Sequence, residues 1–337
     1  MRDGKRILLG HGSGGTLSRQ LIRDLFLDAF DNEYLAPLND QAVLSLPSAR
    51  IAFTTDSYVV DPLFFPGGDI GKLAVCGTVN DLAVGGAEPL YLSASFILEE
   101  GLPFDDLRRI VASMAEAAEQ AGVQVVTGDT KVVERGKGDK VFITTAGVGI
   151  VGEGISLSPA SIRPGDVVIV SGFIGDHGIA VMTRREGMRL EAPVESDCAP
   201  LHGLVRSMLA ADAGIRAMRD PTRGGLATTL NEFAASSGCG ILIDEEAIPV
   251  REEVRGACEL LGFDPLYLAN EGKLVAVVPK GAARSVLAAM RGNPLGAGAA
   301  VIGEAVSDPP GRVLLKTSIG SRRIVAMLSG EQLPRIC

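Results

Sequence analysis

Several residue types that mark well-known kinds of site are scarce in this chain of 337 residues. It has no Trp, only three His, and five Cys that form no C-x-x-C pair, so neither a structural zinc site nor a disulfide framework is indicated. No apolar run approaches the roughly 18 residues of a membrane-spanning helix, and the apolar stretch at residues 7–9 is too short for a signal peptide. We therefore expect a protein of the reducing cytoplasm that contacts no membrane.

The balance of charge argues against one further class, the nucleic-acid-binding proteins. The chain carries 32 Lys and Arg against 41 Asp and Glu, a net charge of −9, and a surface of that sign repels nucleic-acid phosphates. The chain is long enough for two domains, each with its own core. Its 42 Gly indicate many tight turns and places where the backbone approaches a ligand.

Patterns of apolar residues divide the chain into four parts. Helical segments alternate with strands, and some strands lie close together as hairpins, such as the one predicted for 42–46 and 50–54. This mixture predicts a mixed α/β fold of the α+β type, with a further strand at 266–269. Pro159 and Pro164 mark a boundary. We predict a glycine loop and helix at 1–40, domains at 41–155 and 156–310, and C-terminal strands and a tail at 311–337.

A glycine-rich loop lies close to the N-terminus. Gly10, Gly12 and Gly15 match the G-x-G-x-x-G pattern of dinucleotide-binding folds, but the strand before them is very short and the strands after them form a hairpin instead of a crossover. The sequence has no Walker pattern here either, because no Gly-Lys-[Ser/Thr] closes the loop. Two interpretations stay open: a loop whose backbone N–H groups cover phosphates, or a linker.

Acidic residues recur beside small residues where strands end or turns begin. They are Asp56, Asp81, Asp129, Asp176 and Asp220. Strand ends and loops are where a scaffold presents functional groups, and Mg²⁺ takes carboxylates together with phosphate oxygens and water. Each Asp is equally typical of a turn or an N-cap, so the set predicts a Mg²⁺ site better than any single member does.

Three more residues carry reactive groups in notable places. Lys131 follows the turn that contains Asp129, and Glu271 lies between Asn270 and Gly272. Either is a candidate for proton transfer if it is buried, and a surface charge if it is not. Cys337 is the last residue, where a thiol is mobile. Position alone leaves open whether that thiol has a function.

Four segments together resemble those of the ATP-binding superfamily that contains aminoimidazole ribonucleotide synthetase and selenophosphate synthetase. They are 54–56 (Thr-Thr-Asp), 80–89 (Asn-Asp, then Gly-Gly-Ala-Glu-Pro), 127–131 (Thr-Gly-Asp-Thr-Lys) and 219–226 (Arg-Asp-Pro-Thr-Arg-Gly-Gly-Leu). Within the superfamily, 270–274 (Asn-Glu-Gly-Lys-Leu) and the ending 334–337 (Pro-Arg-Ile-Cys) are similar to the HypE hydrogenase maturation factors, which are carbamoyl dehydratases.

The resemblance implies two PurM-like halves with a glycine-rich N-terminal loop and a flexible C-terminal tail. It also implies a homodimer formed through the N-terminal halves, and ATP and Mg²⁺ as cofactors. The implied ATP-binding residues are Gly12, Ser13, Gly14, Gly15, Asp56, Asp81 and Asp129. The implied Mg²⁺ ligands are Asp56, Asp81 and Asp220.

The implied reaction takes place on the chain's own tail. A carbamoyltransferase, HypF, attaches a carbamoyl group to Cys337, and the enzyme dehydrates this S-carboxamide to a thiocyanate while ATP becomes ADP and phosphate. The cyano group then passes to a HypC–HypD scaffold complex as a ligand of the [NiFe]-hydrogenase iron. Lys131 and Glu271 are the implied groups that orient the amide and take its protons.

Three other functions stay open. A selenophosphate synthetase-like or purine-pathway enzyme would share the ATP site but would need no C-terminal Cys. A Rossmann dehydrogenase would depend on the glycine loop alone. A non-enzymatic carrier would only ferry a group on Cys337.

Overall fold

The structure is a computed structural model that describes residues 6–8, 11, 20–36, 50–188, 193–212, 214–328 and 335–337. The predicted phosphate-binding residues Gly12, Ser13, Gly14 and Gly15 lie outside the described residues, and so does the predicted strand at 42–46. What the sequence predicts for them stays a prediction. No helix of the described part is long and apolar enough to cross a membrane.

Helices and strands alternate along the described chain, with short 3₁₀ turns between them. The helices are α1 (π-helical Ile22–Leu27, continued by Asp28–Phe30), α2 (Ile70–Val84), α3 (Phe104–Ala121), α4 (Asp176–Arg185), α5 (His202–Ala211), α6 (Gly225–Ser237), α7 (Glu252–Leu261) and α8 (Ala283–Arg291). The strands are β1 (Arg50–Tyr58), β2 (Phe64–Phe65), β3 (Gly68–Asp69), β4 (Ala87–Glu99), β5 (Gln124–Val133), β6 (Val141–Val151), β7 (Val167–Val170), β8 (Ala217–Arg219), β9 (Gly240–Asp244), β10 (Val275–Val278), β11 (Ala300–Val306), β12 (Val313–Lys316) and β13 (Arg322–Val325).

The N-terminal half is a four-stranded sheet in the order β1–β6–β4–β5. β4 and β5 are parallel, and the other neighbours are antiparallel. Parallel neighbours require a crossover connection, which α3 supplies. α3 buries Leu107, Ile110 and Met114 in the core of this half. It ends at Gly122, whose left-handed conformation (φ +67°) is the common way to close a helix.

α2 lies at the centre of this half and leads to the junction with the other. It is apolar almost all round and almost wholly buried, as expected of a helix packed between a sheet and another helix. The Asp69 carboxylate caps it by accepting hydrogen bonds from the backbone N–H groups of Gly71 and Lys72. Its last turn carries Asn80 and Asp81.

The C-terminal half is a seven-stranded sheet in the order β13–β12–β9–β11–β7–β10–β8. Its neighbours are antiparallel except for the parallel pair β9 and β12. α6 packs on one face through Leu230 and Phe233, and α5 and α8 pack on the other through Met208 and Met290. Helices on both faces explain why β10 is an unbroken apolar run with every residue buried.

The two halves meet where the end of α2 packs against α5. Ala83 shares an apolar cluster with α5 and α8. The Asn80 amide donates hydrogen bonds to the carbonyl oxygens of Ala199 and Glu271, both at 3.1 Å. Its Oδ1 accepts one from the backbone N–H of Leu201 at 2.7 Å. Asn80 therefore fixes two segments of the C-terminal half beside Asp81.

The predicted mixed α/β fold is confirmed, but some local predictions are wrong. No strand forms at 266–269. Instead Asp264 caps a 3₁₀ helix, Pro265–Tyr267, by accepting a hydrogen bond from the N–H of Leu266, and proline suits the first turn of a helix.

Two acids predicted at strand ends lie inside strands. Asp129 belongs to β5, which continues to Val133, and Lys131 lies in the same strand. Asp56 lies within β1, which extends beyond the predicted 50–54 to Tyr58. The bounds of the four predicted parts stay predictions.

Candidate active site

A polar cavity of about 170 Å³ lies where the two halves meet. β1 and α2 supply acids from the N-terminal half, and loops supply the groups of the C-terminal half. The residues of interest that line it are Asp56, Asp81, Asp220, Arg223, Glu271 and Cys337.

The N-terminal half holds two of these carboxylates. Asp56 lies opposite Thr145, which is 1% exposed, and residues directly opposite each other share one face of a sheet. Asp56 is therefore on the inner face. The Tyr58 hydroxyl donates to Asp56 Oδ2 (3.2 Å), and the Thr54 hydroxyl donates to Asp81 Oδ2 (2.8 Å). These neutral neighbours orient the two carboxylates without neutralising them.

The C-terminal half holds the other two acids. Asp220 directly follows β8, and Glu271 lies in the loop before β10; both are buried. The backbone N–H of Glu271 donates to Asp197 Oδ1 (3.0 Å), and the amide of Asn270 donates to the carbonyl oxygen of Pro221 (3.0 Å). Glu271 Oε1 is buried without a hydrogen-bond partner. A buried, unpaired acceptor of this kind calls for a ligand or a proton.

Burial and mutual repulsion raise the pKa of three acids of the cavity, Asp81, Asp220 and Glu271. Burial and then the charge of Asp56 raise the pKa of Asp81 to about 6. Burial and then the charge of Asp81 raise the pKa of Asp220 to about 7. Burial, reinforced by Asp220, holds the pKa of Glu271 well above its ordinary range. Perturbed groups of one sign that share a cavity are typical of functional sites.

Arg223 brings a positive charge to the cavity, and no role was predicted for it. Gly224 and Gly225 follow it with φ of +77° and +61°, in the left-handed region that glycine adopts at no cost. A Cβ at Gly225 would lie 2.5 Å from the carbonyl oxygen of Leu268, so this turn requires glycine there. The turn presents Arg223 just before α6. The Arg-Gly-Gly triplet of segment 219–226 was the available sequence signal.

The end of the chain occupies this cavity. Cys337 lines it together with Arg223, whose positive charge acts to lower the pKa of the thiol. Ile336, beside it, is 4% exposed and packs into the core of the N-terminal half. Burial and then the negative charge of Glu271 raise the pKa of Cys337 to about 12. The thiol of Cys337 is therefore protonated, and so neutral, when the end of the chain lies in the cavity.

Polar contacts also hold Arg335. Its carbonyl oxygen accepts hydrogen bonds from Nη2 of Arg185 (2.7 Å) and from the backbone N–H of Asp61 (3.2 Å). Its guanidinium pairs with Asp139 (2.7 Å). Because Arg185 also donates to the carbonyl oxygen of Asp61 (2.7 Å), one side chain ties the tail to a loop of the N-terminal half.

Asp129 and Lys131 lie at a different cavity. They are on β5, at the edge of the sheet opposite β1. With His11 and the α1 residues Phe26 and Phe30 they line a largely apolar cavity of about 230 Å³. The Asp129 carboxylate and the Lys131 ammonium form an ion pair at 3.7 Å, and their side chains are 65% and 67% exposed.

The structure thus divides the residues that the sequence singled out. Asp176 lies in neither group, because it is buried in an ion pair with Arg251 (3.1 Å). The residues brought together are Asp56, Asp81, Asp220, Glu271 and Cys337. Their roles, and those of Asp129 and Lys131, stay predictions.

Family models match most of the chain. Residues 38–151 match the N-terminal domain of AIR synthase related proteins, and residues 163–316 match the C-terminal domain of the same proteins. The prediction of two PurM-like halves is therefore confirmed.

Relatives match the chain over nearly its whole length. It is 59% identical over 333 residues to carbamoyl dehydratase HypE of Cupriavidus necator, covering 98% of this chain and 95% of the relative. The crystal structure of hydrogenase maturation protein HypE in complex with ATP is 52% identical, with a TM-score of 0.95 over 98% of this chain and 99% of that one. A crystal structure of a HypE–HypF complex contains a chain that is 51% identical, with a TM-score of 0.81 over 91% of this chain and 99% of that one.

Proposed function

The chain belongs to the HypE family of carbamoyl dehydratases, and we propose that it uses ATP to dehydrate an S-carboxamide on its own Cys337 to a thiocyanate. The observation that carries this proposal is the position of the terminal thiol, which lies among buried acids and beside Arg223. A group attached to that thiol would already be inside the cavity. Holding a reactant in place in this way removes much of the entropic cost of reaction.

The apolar cavity beside β5 suits the nucleoside part of ATP. Phe26 and Phe30 offer aromatic surface for a purine, and Asp129 offers a hydrogen-bond acceptor at the polar end. His11 lines the same cavity, and the glycine loop directly follows it in sequence. The proposed phosphate-covering residues of that loop are Gly12, Ser13, Gly14 and Gly15. A relative that is 52% identical forms a complex with ATP.

The acidic cavity suits Mg²⁺. Asp56, Asp81 and Asp220 converge there, and a cation would relieve the repulsion that raises the pKa of the last two. Among the described residues, no three His, Cys, Asp or Glu side chains are grouped so that they could hold a metal ion by themselves. Mg²⁺ commonly takes only one or two carboxylates and completes its shell with phosphate oxygens and water. Bound here it would neutralise phosphate charge during transfer.

The first proposed step is phosphorylation of the amide oxygen. The oxygen of an amide is a very poor leaving group, and transfer of the terminal phosphoryl group of ATP converts it into phosphate. ADP leaves in this step. Arg223, beside the sulfur, would offset negative charge on the transferred group, and the buried cavity would keep water from hydrolysing the intermediate.

The second proposed step removes the two amide protons and expels the phosphate. Glu271 is the proposed acceptor, because it lines the cavity that holds Cys337 and its Oε1 has no hydrogen-bond partner. A carboxylate whose pKa is raised by burial is, once ionised, a stronger base than an exposed one. The carbon–oxygen bond breaks as the nitrile forms, so the amide oxygen ends in the phosphate. The products are the thiocyanate on Cys337, ADP and phosphate.

Lys131, the other proposed proton acceptor, lies too far from the thiol of its own chain. β6 and β4 lie between β5 and β1, which separates the two edge strands by roughly 14 Å. We therefore place its action in a homodimer, in which the partner subunit's Lys131 serves the cavity that holds Cys337.

The outer face of the N-terminal sheet supports such a homodimer. Ile51, Phe53 and Ile97 share that face and are 55%, 70% and 43% exposed. Ile51 and Phe53 are neighbours on this face, and exposed apolar side chains grouped in this way mark interaction sites. Lys131 lies opposite Ile97 in the pairing of β4 with β5, so it borders the same face. A second copy packed there would bring in Lys131 of the partner subunit.

Further partners follow from the same proposal. A relative has been crystallised with HypF, and we propose a HypF-type carbamoyltransferase as the donor of the carbamoyl group to Cys337. A HypC–HypD complex would then accept the cyano group as a ligand for the iron of [NiFe]-hydrogenase. The predicted cytoplasmic location belongs to this proposal.

Mass spectrometry of the carbamoylated chain tests the proposal. Cyanate labelled with oxygen-18 would carbamoylate Cys337, while the other four cysteines are buried. Adding ATP should lower the mass of the C-terminal peptide by that of one labelled water and place the label in phosphate. The Cys337→Ala variant should bind ATP and show neither change. If the carboxamide persists on the wild-type chain with ATP bound, the chain is a carrier and the proposal is wrong.

A further inference from the structure

We propose that His177 is a positioning residue for the tethered substrate, which it holds by donating a hydrogen bond from Nε2 to the carbonyl oxygen of Ile336. The distance between these atoms is 2.8 Å, and the histidine is fully buried. Ile336 immediately precedes Cys337, so this bond is the last main-chain contact before the reacting residue. His177 does not line the acidic cavity with the reacting group.

The surrounding groups fix the protonation of the ring. A carbonyl oxygen only accepts hydrogen bonds, so Nε2 must carry a proton. Nδ1 lies 2.8 Å from the hydroxyl oxygen of Ser196, and that oxygen already accepts a hydrogen bond from the backbone N–H of Cys198 (3.1 Å). The Ser196 hydroxyl proton is therefore free to point at Nδ1. All contacts are satisfied by one neutral tautomer, with the proton on Nε2.

The ring is oriented by the body of the protein and not by the tail. His177 lies in the first turn of α4, and Phe65 packs edge-on against it, with ring centroids 5.4 Å apart. The backbone N–H of Ser196 donates to the carbonyl oxygen of Pro66 (2.8 Å), which holds the serine in place. The Nε2–H donor is thus preorganised for an incoming carbonyl group, the arrangement that a positioning role requires.

The tail has three successive anchors, and His177 is the innermost. Arg185 and the N–H of Asp61 hold the carbonyl oxygen of Arg335, and the side chain of Ile336 fills an apolar pocket. Neither of these fixes the peptide unit between Ile336 and Cys337. Without the histidine the buried carbonyl oxygen of Ile336 would lose its donor, which disfavours the docked state.

The rate at which Cys337 reacts with a thiol reagent measures docking of the tail independently of catalysis. The variant His177→Leu removes the donor at similar size, and His177→Gln retains a side-chain N–H. A thiol reagent should modify Cys337 about tenfold faster in His177→Leu than in the wild-type chain, and at a near wild-type rate in His177→Gln. The four buried cysteines report folding within the same sample. Equal Cys337 rates in folded His177→Leu and wild-type protein would overturn the proposal.

A second measurement leaves His177 unchanged in case the leucine variant does not fold. In the full-length chain, the Nε2–H proton of His177 should give a slowly exchanging NMR signal with the nitrogen shift of a neutral ring. In a chain that ends at residue 335, the acceptor is missing, and the signal should shift and exchange fast. The same signal in both chains would contradict a bond to Ile336.

The consequence for turnover rests on the proposed function and is separable from it. On the carbamoylated chain with saturating ATP, His177→Leu should dehydrate about tenfold more slowly, and His177→Gln should recover most of the rate. If the wild-type chain forms no thiocyanate at all, the proposed function fails while the docking result stands. If the wild-type chain turns over and His177→Leu matches it, the positioning role fails alone.

Discussion

The two edges of the N-terminal sheet border cavities of opposite character. At the β1 edge, Asp56 faces a polar cavity that encloses the chain's own last residue. At the β5 edge, Asp129 and Lys131 border a largely apolar cavity and form an exposed ion pair.

The difference between the edges assigns them different tasks. At the β1 edge, burial raises the pKa of Asp81 to about 6 and that of Asp220 to about 7, which brings their protons into exchange near neutral pH. An exposed ion pair contributes little energy of its own, but its hydrogen-bonding groups remain available to a ligand. We infer that phosphoryl and proton transfer take place at the β1 edge and that nucleotide recognition takes place at the β5 edge.

The largest expected effect contrasts one isosteric change at each edge. Glu271→Gln should lower the rate of dehydration at saturating ATP on the order of 10²- to 10⁴-fold, the usual contribution of a proton-transfer group. Asp129→Asn should instead raise the KM for ATP several-fold, with a small change in kcat, since it weakens ground-state contacts. Steady-state kinetics on the carbamoylated chain measures both. The opposite pattern would break the assignment of the two edges.

A substitution on the outer face of the sheet tests whether activity requires the β1 edge of one chain and the β5 edge of its partner in a dimer. Phe53→Asp puts a charge into the most exposed part of the apolar patch, so we expect a monomer by analytical ultracentrifugation and a loss of activity of about a hundredfold. The matched control is Ile319→Asp, because Ile319 is 88% exposed and lies in the turn between β12 and β13. Full activity in a monomeric Phe53→Asp protein would show that a single chain catalyses the reaction without a partner.

Mixing two inactive variants tests the same point more sharply. Lys131→Ala should cost about a hundredfold in rate, and Cys337→Ala has no substrate thiol. In a mixed dimer, the Cys337→Ala chain would offer its lysine to the thiol of the Lys131→Ala chain. We expect roughly a quarter of wild-type activity after random exchange of subunits. No recovery, with exchange demonstrated by mass, would place Lys131 in the site of its own chain or outside catalysis.

Much of the fold was predictable from the sequence because the strongest patterns are local. The apolar stripe of helix α3 follows from helical periodicity, and the apolar run of strand β10 follows from burial on both of its faces. The strand predicted at 266–269 failed because a capping side chain, Asp264, and a proline favour a 3₁₀ turn, and a short apolar run does not reveal this competition. The extent of β5 was underestimated since Gly128 and Asp129 read as a turn, whereas pairing with β4 extends the strand.

The residue types of the candidate site were predictable from the sequence itself, and their grouping was predictable only through the resemblance to a known family. Asp56 and Asp220 are far apart in sequence, and only the packing of one half on the other brings them to one cavity. Lys131 carries a reactive group, yet the order of strands places it at the opposite edge. No sequence pattern around His177 indicates that it contacts the tail. Its role depends on a hydrogen bond to the main-chain carbonyl of residue 336. Because every residue has such a carbonyl, the type of residue at position 336 does not reveal the bond.

The smallest expected effect is a partial release of the tail in mild acid. Burial lowers the pKa of His177 below its ordinary value of 6.5, against an opposing effect of Asp197 and of the hydrogen bond to Ile336. With the tail out, solvent reaches the ring and its pKa returns toward the ordinary value. Docking therefore favours the neutral ring. It is complete above about pH 6.5 and weakens as the pH falls from there toward the pKa of the docked state.

Reaction of Cys337 with 4,4′-dithiodipyridine, which attacks thiols in acid as well as near neutrality, measures this release. Relative to a free model thiol, the rate should rise roughly three- to fivefold between about pH 7.5 and 5.5. In His177→Gln the rise should vanish, because an amide does not titrate in this range. An equal rise in both proteins would assign the acid effect to another group, with Asp81 and Asp220, whose pKa values are about 6 and about 7, the first candidates. The docked tail at the β1 edge would then owe its pH response to the acids around it and not to its histidine.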